Sequence, residues 1–328
     1  MKYDVLGVGN AIVDVLATTS DQFLVDQRLD KGQMALIDAE RASELYGLMG
    51  SAREVSGGSV ANTCAGLASL GGRAVYVGRV CDDQLGEVFA HDIRAAGVDF
   101  FSRPADVGSA ATARCLVLVT PDAQRTMNTY LGACVDLGPE DIDETLIASA
   151  QVTYLEGYLW DQDLAKEALT KAARSANQAG RQVALTLSDS FCVTRHRESF
   201  RKLIQTEVDI LFANESELLA LTECDSLEEA LQAAQPDVET LAVTRSEKGS
   251  VVLGLEGRYE IPAQPVERLV DTTGAGDLYA AGFLFGMTHG RSLADCARIG
   301  SLAAAEVISH YGARPEVQLE TLIPRAAE

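Results

Sequence analysis

The chain has 328 residues, of which 48 are acidic and 27 basic, giving a formal net charge of −21, and 47% are hydrophobic. A surface this negative repels nucleic acid and anionic membranes, which excludes functions that depend on binding either. The apolar content is enough for a large core, and 23% charged residues is an ordinary globular value, so the composition also argues against a largely disordered chain.

Cysteine usage and the N-terminal residues predict the compartment. The seven cysteines contain no C-x-x-C pair, their number is odd, and most lie in apolar stretches, which predicts free thiols in a reducing compartment. The opening MKYDVLGVGN lacks the long apolar run of a signal peptide, and no apolar run is long enough to cross a bilayer. We therefore expect a cytoplasmic protein that binds neither membrane nor nucleic acid.

The first third of the chain alternates short apolar runs with helical spacing. The pattern predicts buried strands at 3–9 and 74–80, and helices at 40–49, 56–70 and 84–96. Residues 11–37 instead mix short apolar patches with polar segments. Residues 110–131 differ again, because two apolar runs flank a proline, and they predict a β-hairpin.

From residue 139 onward, strands and helices alternate regularly. The predicted strands lie at 152–156, 183–187, 208–213 and 241–244, an antiparallel edge follows at 250–254 and 258–261, and the last helices lie at about 275–289 and 292–310. This rhythm predicts an α/β fold in which helices cover both faces of a mostly parallel sheet.

The segment Asp271-Thr272-Thr273-Gly274-Ala275-Gly276-Asp277 carries the strongest chemical signal, since it follows an extended stretch and opens a helix near Ala275. Its glycines let the backbone turn sharply, and free N–H groups at a helix start attract an anion such as phosphate. Asp277 lies in the first turn, where a carboxylate is poorly placed to bind phosphate but well placed to take a proton from a hydroxyl. The alternative is an ordinary helix start capped by Thr273, with a solvated Asp in its first turn.

The same segment matches D-T-x-G-A-G-D, the second signature of the ribokinase-like family, which is also called the phosphofructokinase B family. The chain resembles this family from Gly9 to Gly312. The resemblance implies a ribokinase-like three-layer α/β/α fold with a mostly parallel sheet and a small β-sheet lid. It also implies in-line transfer of the ATP γ-phosphate, with Asp277 as the base and the backbone of residues 274–277 as the anion hole.

The resemblance further implies two domains. Residues 1–10, 37–101 and 134–328 would form a large α/β catalytic domain, and residues 11–36 and 102–133 a small β lid. Closing the lid would exclude water, so that ATP is not lost to hydrolysis.

Two groups of residues predict where the acceptor binds. Gly57 and Gly58 precede a helix and allow close approach of the backbone to a ligand, and Asn62 lies one turn further on the same face. Asn10 and Asp14 follow the first strand, and an amide and a carboxylate four residues apart could hydrogen-bond a vicinal diol. The plain alternatives are a glycine-containing helix N-terminus for the first group and a turn Asn with a solvated Asp for the second.

Gly7-x-Gly9 also begins a dinucleotide-binding fingerprint. We reject that interpretation because Ile12 occupies the position of the third glycine and no helical pattern follows. A dehydrogenase is therefore excluded.

The nucleotide side is predicted from residues at the ends of later strands. Asn214-x-x-Glu217 matches the family's N-x-x-E element, and the resemblance predicts that Glu217 acts on Mg²⁺ through water. Its alternative is a helix N-cap with a first-turn Glu. The other predicted ATP-binding residues are Thr244, Arg245, Gly249 and Thr272, although a plain hairpin turn explains the stretch at 244–249 equally well.

Within the family, the chain most resembles adenosine kinases. Gly9-Asn10 with Asp14 resembles their ribose-binding start, and Leu187-Ser188-x-x-Phe191 resembles their L-S-x-x-F, in which the Phe lines the nucleoside base. The remaining residues that this resemblance implies around the acceptor are Gln33, Met34 and Tyr158 beside the base, and Arg125 in the lid hairpin as a clamp on the phosphate. For Arg125 the alternative is a solvated side chain.

These residues predict ATP-dependent transfer of the γ-phosphate to the hydroxymethyl group of a nucleoside, adenosine to AMP, with Mg²⁺ as the metal. A sugar kinase of the same family, acting on ribose, a ketose or a sugar acid, is the alternative, since a polar pocket suits a bare sugar and an aromatic slot suits a base. A non-catalytic nucleotide-binding protein is a third interpretation, and the intact Asp277 argues against it.

The resemblance leaves a K⁺ requirement and the oligomeric state open. Monovalent cation sites in the family lie near the residues corresponding to Asp271, Thr273 and the Gly312 loop. A monomer and a lid-mediated homodimer both stand as expectations, and the dimer would need an exposed apolar lid edge.

Overall fold

The computed structural model describes residues 1–103, 108–122 and 124–323. Residues 104–107 and 123 of the predicted lid and residues 324–328 of the predicted catalytic domain lie outside the described residues. The strands are β1 (Tyr3–Val8), β2 (Ile12–Thr18), β3 (Met34–Leu36), β4 (Arg53–Gly57), β5 (Ala74–Val77), β6 (Asp99–Phe101), β7 (Ala113–Val119), β8 (Arg125–Tyr130), β9 (Ala150–Glu156), β10 (Gln182–Thr186), β11 (Ile210–Asn214), β12 (Thr240–Thr244), β13 (Ser250–Gly254) and β14 (Gly257–Ile261).

Helices fill most of the connections between these strands. The α-helices are α1 (Asp21–Asp26), α2 (Ala39–Leu48), α3 (Ser59–Ser69), α4 (Gln84–Ala95), α5 (Glu144–Ala148), α6 (Asp163–Gln178), α7 (Ser190–Glu207), α8 (Glu215–Thr222), α9 (Leu227–Ala234), α10 (Ala275–Thr288) and α11 (Leu293–Val307). In the described part of the chain, no helix has the length and apolar character needed to cross a membrane.

A nine-stranded sheet forms the centre of the molecule. Its order is β14-β13-β12-β11-β10-β9-β1-β5-β6, and the strands from β12 to β6 run parallel. β13 and β14 add an antiparallel edge. The predicted α/β class with a mostly parallel sheet is therefore confirmed.

Helices cover both faces of this sheet. Successive residues of β1 point to opposite faces, so Val5 lies in one core cluster and Leu6 in the other. The first cluster includes Phe283 of α10, and the second includes Phe200 of α7. Because both faces are buried, every residue of β1 is buried, as expected for a central parallel strand.

A second sheet of five strands, in the order β3-β8-β7-β2-β4, stands beside the first. The predicted hairpin is its β7–β8 pair. One face is covered by α1 and α2, because Leu24 and Leu45 of these helices share a core cluster with Val15 and Leu116 of the sheet. The register of the strands places Asp14 and the Arg125 side chain on the opposite face.

The second sheet takes in more of the chain than the predicted lid does. β4 pairs antiparallel with β2, and this pairing brings Gly57 opposite Ile12. The predicted boundaries place residues 37–101 entirely in the large domain, whereas β4 belongs to the second sheet by its hydrogen bonds. The diglycine at 57–58 therefore lies where the second sheet passes into α3 of the large sheet's layer.

Candidate active site

Polar side chains collect where the parallel strands end. Asn10 follows β1, Glu156 ends β9, and Asn214 ends β11. The carboxyl ends of parallel strands share one edge of a sheet, and open α/β sheets bind ligands at that edge. The second sheet lies beside this edge, since Arg125 of β8 contacts Asp271 and Thr273, and we call the junction between the two sheets the cleft.

The turn at 274–277 opens α10 towards this cleft. Gly274 has a φ of 78°, and a Cβ there would come within 2.8 Å of Ala313, so both the backbone conformation and the packing require glycine. A Cβ on Gly276 would instead meet nothing within 4 Å. Among the described residues, no acceptor takes the backbone N–H of Gly276 or Asp277. These two amides remain available to an anion.

Asp277 is joined to the start of α3. Its carboxylate accepts hydrogen bonds from Ser59 Oγ (2.7 Å) and Asn62 Nδ2 (2.9 Å). The structure thus brings the predicted base to the segment that follows the diglycine. Sequence reasoning missed Ser59, because nothing in the local pattern distinguishes it from an ordinary first-turn serine.

The surroundings of Asp277 set its basicity. Burial raises the pKa of the Asp277 carboxyl, and the hydrogen bonds from Ser59 and Asn62 and the charge of Arg314 oppose that rise. An amide N–H₂ can only donate, so the Asn62 contact keeps the bonded oxygen an acceptor. The result is a carboxylate that can take a proton more readily than an exposed aspartate.

The two glycines at 57–58 are explained by close contacts. Gly58 has a φ of 94°, and a Cβ there would lie 2.2 Å from the Asn10 carbonyl oxygen. A Cβ on Gly57 would lie 2.4 Å from a carboxylate oxygen of Asp14. Both predicted acceptor-binding residues therefore approach the start of α3 only because no side chain intervenes.

Glu156 is the main residue that sequence reasoning missed in this region. Its carboxylate is 1% exposed and accepts hydrogen bonds from Asn10 Nδ2 (2.7 Å) and the Val60 amide (3.1 Å). Burial raises its pKa from 4.5 to about 7, despite the opposing hydrogen bonds from Val60 and Asn10. The signal in the sequence was a glutamate that ends the apolar run 152–156, at the edge where a ligand would bind.

We predict that Glu156 makes thermal stability fall as pH rises. The folded-state pKa is raised, so the stability that the protonated carboxyl contributes is fully present below 4.5 and is lost as pH rises through about 7. The loss is on the order of 3 kcal/mol. Melting temperatures measured between about pH 5 and 8 should fall less steeply for Glu156→Gln than for the wild type.

Glu256→Gln is the matched control, since this glutamate is exposed in the β13–β14 turn. Its profile should follow that of the wild type. Equal slopes for the Glu156 and Glu256 variants would show that Glu156 does not bind its proton in the folded protein.

Arg125 reaches across from the second sheet to the 271–277 segment. Its guanidinium contacts the carboxylate of Asp271 and the hydroxyl of Thr273. Asp271 also accepts hydrogen bonds from the amides of Thr273 and Gly312, both at 2.9 Å. Burial alone would raise the pKa of Asp271, but Arg125 and the two amides outweigh burial and lower it. Arg125 therefore lies beside the predicted anion hole, and its role as a phosphate clamp stays a prediction.

Asn214 and Glu217 form a reciprocal cap on α8. Glu217 accepts hydrogen bonds from the Asn214 amide (2.9 Å) and from Asn214 Nδ2 (2.6 Å), while Asn214 Oδ1 accepts from the Glu217 amide (2.9 Å). Burial raises the pKa of Glu217 to about 7, and the nearby Asp189 and Asp277 add to the rise. The hydrogen bonds are those of a capped helix, which is the alternative stated above for these two residues. The cap lies at the carboxyl end of β11.

A Mg²⁺ ion fits these surroundings in one specific way. Among the residues that the structure describes, no three His, Cys, Asp or Glu side chains converge to hold a metal directly. The carboxylates near the cleft, Asp189, Glu217 and Asp277, offer only oxygen atoms, which Mg²⁺ prefers, and Mg²⁺ keeps much of its water shell. The residues therefore suit an ion that arrives on ATP phosphates and meets Glu217 through water.

The stretch at 244–249 forms the turn between β12 and β13. The Arg245 amide donates to the Gly249 carbonyl (2.7 Å), and Gly249 has a φ of 82° with its Cβ position 2.0 Å from the Ile261 carbonyl oxygen. Arg245 Nε lies 3.8 Å from a carboxylate oxygen of Glu215. The turn alone accounts for Gly249. ATP binding by Thr244 and Arg245 at the strand end, and by the exposed Thr272, stays a prediction.

Exposed apolar side chains line the region predicted for the base. Phe191, at the start of α7, is 77% exposed, and Tyr158, just after β9, is 39% exposed. The two loops touch, because the Tyr158 amide donates to Ser188 Oγ (3.2 Å). Gln33 is exposed beside Met34, which is 48% exposed at the edge of the second sheet.

Comparisons with known proteins agree with this geometry. The profile of the pfkB family carbohydrate kinases matches residues 32–320. The structure of adenosine kinase from Sinorhizobium meliloti is 55% identical, with a TM-score of 0.91 over 98% of both chains. A probable sugar kinase protein from Rhizobium etli CFN 42 is 53% identical, with a TM-score of 0.91 over 98% of this chain and 97% of that one. Adenosine kinase of Saccharomyces cerevisiae is 26% identical over 93% of this chain and 94% of its own length.

Proposed function

Because the chain belongs to the pfkB family of carbohydrate kinases and is a phosphotransferase with an alcohol acceptor, we propose that it transfers the γ-phosphate of ATP to the hydroxymethyl oxygen of adenosine, giving AMP and ADP. The observation that carries the proposal is the position of Asp277. Its carboxylate lies in the first turn of α10, next to two backbone amides that no described residue pairs, and contacts the segment that follows the diglycine.

The reaction needs few groups from the protein. The acceptor hydroxyl gives its proton to Asp277, its oxygen forms a bond to the γ-phosphorus, and the bond to the β,γ-bridging oxygen breaks, so that ADP leaves. The amides of Gly276 and Asp277 donate to the phosphoryl oxygens as charge develops on them. A bound Mg²⁺ would supply positive charge to the ATP phosphates.

The acceptor side supports a nucleoside. Asn10 and Asp14 lie together at the diglycine, where they suit a vicinal diol such as that of ribose. Phe191 and Tyr158 expose aromatic surface at the same strand ends, and an aromatic slot suits a flat base. On the second sheet, the face that carries Asp14 also carries the partly exposed Met34, so apolar surface continues towards the base.

A sugar kinase is the second candidate, and Glu156 favours it. This buried carboxylate holds the Asn10 side chain beside Asp14 through a hydrogen bond, so a small polar substrate would find two fixed polar groups. The similarity to a probable sugar kinase points the same way. Both candidates share the base and the anion hole, and they differ only in what the acceptor carries beyond its hydroxymethyl group.

A coupled ADP-release assay separates the two candidates. The purified protein would be assayed with adenosine, other nucleosides, ribose, fructose and a sugar acid, each with and without K⁺. We expect the highest kcat/KM with adenosine. A higher kcat/KM for a bare sugar would replace adenosine by that sugar, and no ADP release with any acceptor would contradict the kinase proposal.

We also predict that Phe191→Ala raises the KM for adenosine selectively. Stacking of a base on an aromatic side chain contributes about 1–3 kcal/mol, which corresponds to a KM increase of about 5- to 140-fold. The KM for any sugar turned over by the wild type should not change, because a sugar has no base to stack. Phe191 is 77% exposed, so its loss should leave the melting temperature near the wild-type value. An unchanged KM for adenosine would remove Phe191 from the base site.

We propose that the protein is a monomer and that it lies in the cytoplasm. α1 and α2 cover one face of the second sheet, so that face is unavailable for pairing with a second copy. A dimer through the second sheet would need the β3 edge, where Met34 and Leu36 are exposed. Light scattering at several concentrations would distinguish the two states.

A further inference from the structure

Arg314 lies on the loop that follows Gly312, and its guanidinium holds both sides of the diglycine. Nε donates to the Ser56 carbonyl (3.1 Å), Nη2 to Ser56 Oγ (3.2 Å), and Nη1 to the Ala61 carbonyl (3.0 Å). Residues 56 and 61 flank the Gly57-Gly58 turn and the first turn of α3. Three fixed donors therefore fasten the segment that carries Ser59 and Asn62 to the C-terminal loop.

All three of these hydrogen bonds from the guanidinium go to neutral oxygens. Among the described residues no carboxylate pairs with Arg314, although Asp14 and Asp92 lie near enough for their charges to act on it. Burial lowers its pKa, and the charges of Asp14 and Asp92 oppose that change. A charge held without a contacting carboxylate acts on several carboxylates at once.

Two of those carboxylates belong to the proposed reaction. Burial raises the pKa of Asp14 to about 6, and Arg314 is the largest influence in the opposite direction. Burial also raises the pKa of Asp277, and the charge of Arg314 opposes this rise together with the hydrogen bonds from Ser59 and Asn62. The titratable groups that face Asp277 from neighbouring elements are Asp14 of β2, Tyr154 and Glu156 of β9, Tyr158 after β9, Glu217 of α8 and Arg314.

We propose that Arg314 is a positioning residue for phosphoryl transfer: it holds the diglycine turn against Asp277 and supplies the positive charge that keeps Asp14 and Asp277 ionised. The proposal rests on the function proposed above. In this proposal Arg314 acts through Asp14 and Asp277 rather than on the substrates themselves.

Three variants separate the charge from the hydrogen bonds. Arg314→Lys keeps the charge and loses the fork of donors, Arg314→Gln keeps a donor and loses the charge, and Arg314→Met loses both. Each would be assayed for ADP release with adenosine across pH 5 to 9, giving separate profiles of kcat and kcat/KM. Arg73→Gln is the matched control, since this arginine pairs with Asp4 near the opposite ends of the strands.

Loss of the charge should move the acid limb of the kcat/KM profile upward by about one pH unit in the Gln and Met variants. The Lys variant should keep the wild-type limb and show only a raised KM for adenosine, because the diglycine turn is held less firmly. The Arg73 variant should match the wild type in both respects.

An unmoved acid limb in the Gln and Met variants would overturn the proposal and leave Arg314 as a purely structural clamp. If those two variants do not fold, the Lys variant still decides, since an upward shift of its limb or an unchanged KM would contradict the proposal. Asp277→Asn keeps the two proposals apart. If that variant retains turnover, the proposed function fails. If it loses turnover while the acid limbs of the Arg314 variants stay at the wild-type pH, only the role of Arg314 is contradicted.

Discussion

Replacing Asp277 with Asn should lower kcat by about 10³-fold, within the 10²–10⁴ range of general acid–base catalysis. The amide has nearly the shape of the carboxylate but cannot take the proton of the acceptor hydroxyl. ATP binding should persist, because the phosphate would be held by backbone amides that the substitution leaves in place. Saturating kinetics with adenosine and a separate equilibrium titration with ATP measure the two effects.

The matched control is Asp163→Asn, which removes a carboxylate whose side chain is 96% exposed. It should leave kcat and ATP affinity unchanged, because surface ion pairs contribute little. Turnover within a few-fold of wild type in the Asp277 variant would show that the base has been misassigned.

The second large expected effect comes from replacing the two glycines of the 274–277 turn, because their surroundings differ. Gly274→Ala places a side chain at a φ of 78° and within 2.8 Å of Ala313, so it should destabilise the protein by about 2 kcal/mol or more. Gly276→Ala meets no atom within 4 Å and should leave the melting temperature unchanged or slightly raised. Its methyl group would nevertheless project into the open space beside the free amides.

Activity should therefore separate from stability at these two positions. Gly276→Ala should lower kcat/KM for ATP by about 10²-fold, a loss comparable to that of one donor in an anion hole. Melting temperatures and ATP kinetics of the two variants, measured side by side, give the comparison. A fully active Gly276 variant would mean that phosphate does not approach this turn.

Some of the site could be predicted because its signals are local. The 271–277 segment combines glycines, a helix start and an acid within seven residues, and the structure gives each of these features a physical reason. The parallel direction of most strands in the large sheet follows from the strand–helix alternation, since parallel strands need helical crossovers. The hairpin of β7 and β8 could be predicted because a proline, which favours a turn, separates its two apolar runs.

Other parts depend on contacts between distant residues. β4 has only two buried residues, so no apolar run marks it as a strand in the sequence, and only its pairing with β2 identifies it. Arg314 contacts Ser56 and Ala61 across more than half the chain, and no spacing in the sequence encodes that contact.

The Asn214 and Glu217 pair shows a different limit. A reciprocal helix cap and a water-mediated Mg²⁺ site ask for the same residues at the same spacing. The structure shows the hydrogen bonds of the cap, and its position at the carboxyl end of β11 suits the metal as well. The two interpretations are compatible, so neither the spacing nor the geometry separates them.

The most direct test of the account follows the phosphorus atoms. The wild-type protein would be mixed with ATP, Mg²⁺ and adenosine, and the products would be identified by phosphorus NMR. Transfer to the acceptor hydroxyl predicts equal amounts of ADP and 5′-AMP, with no build-up of inorganic phosphate. Release of inorganic phosphate without AMP, or no consumption of ATP, would contradict it.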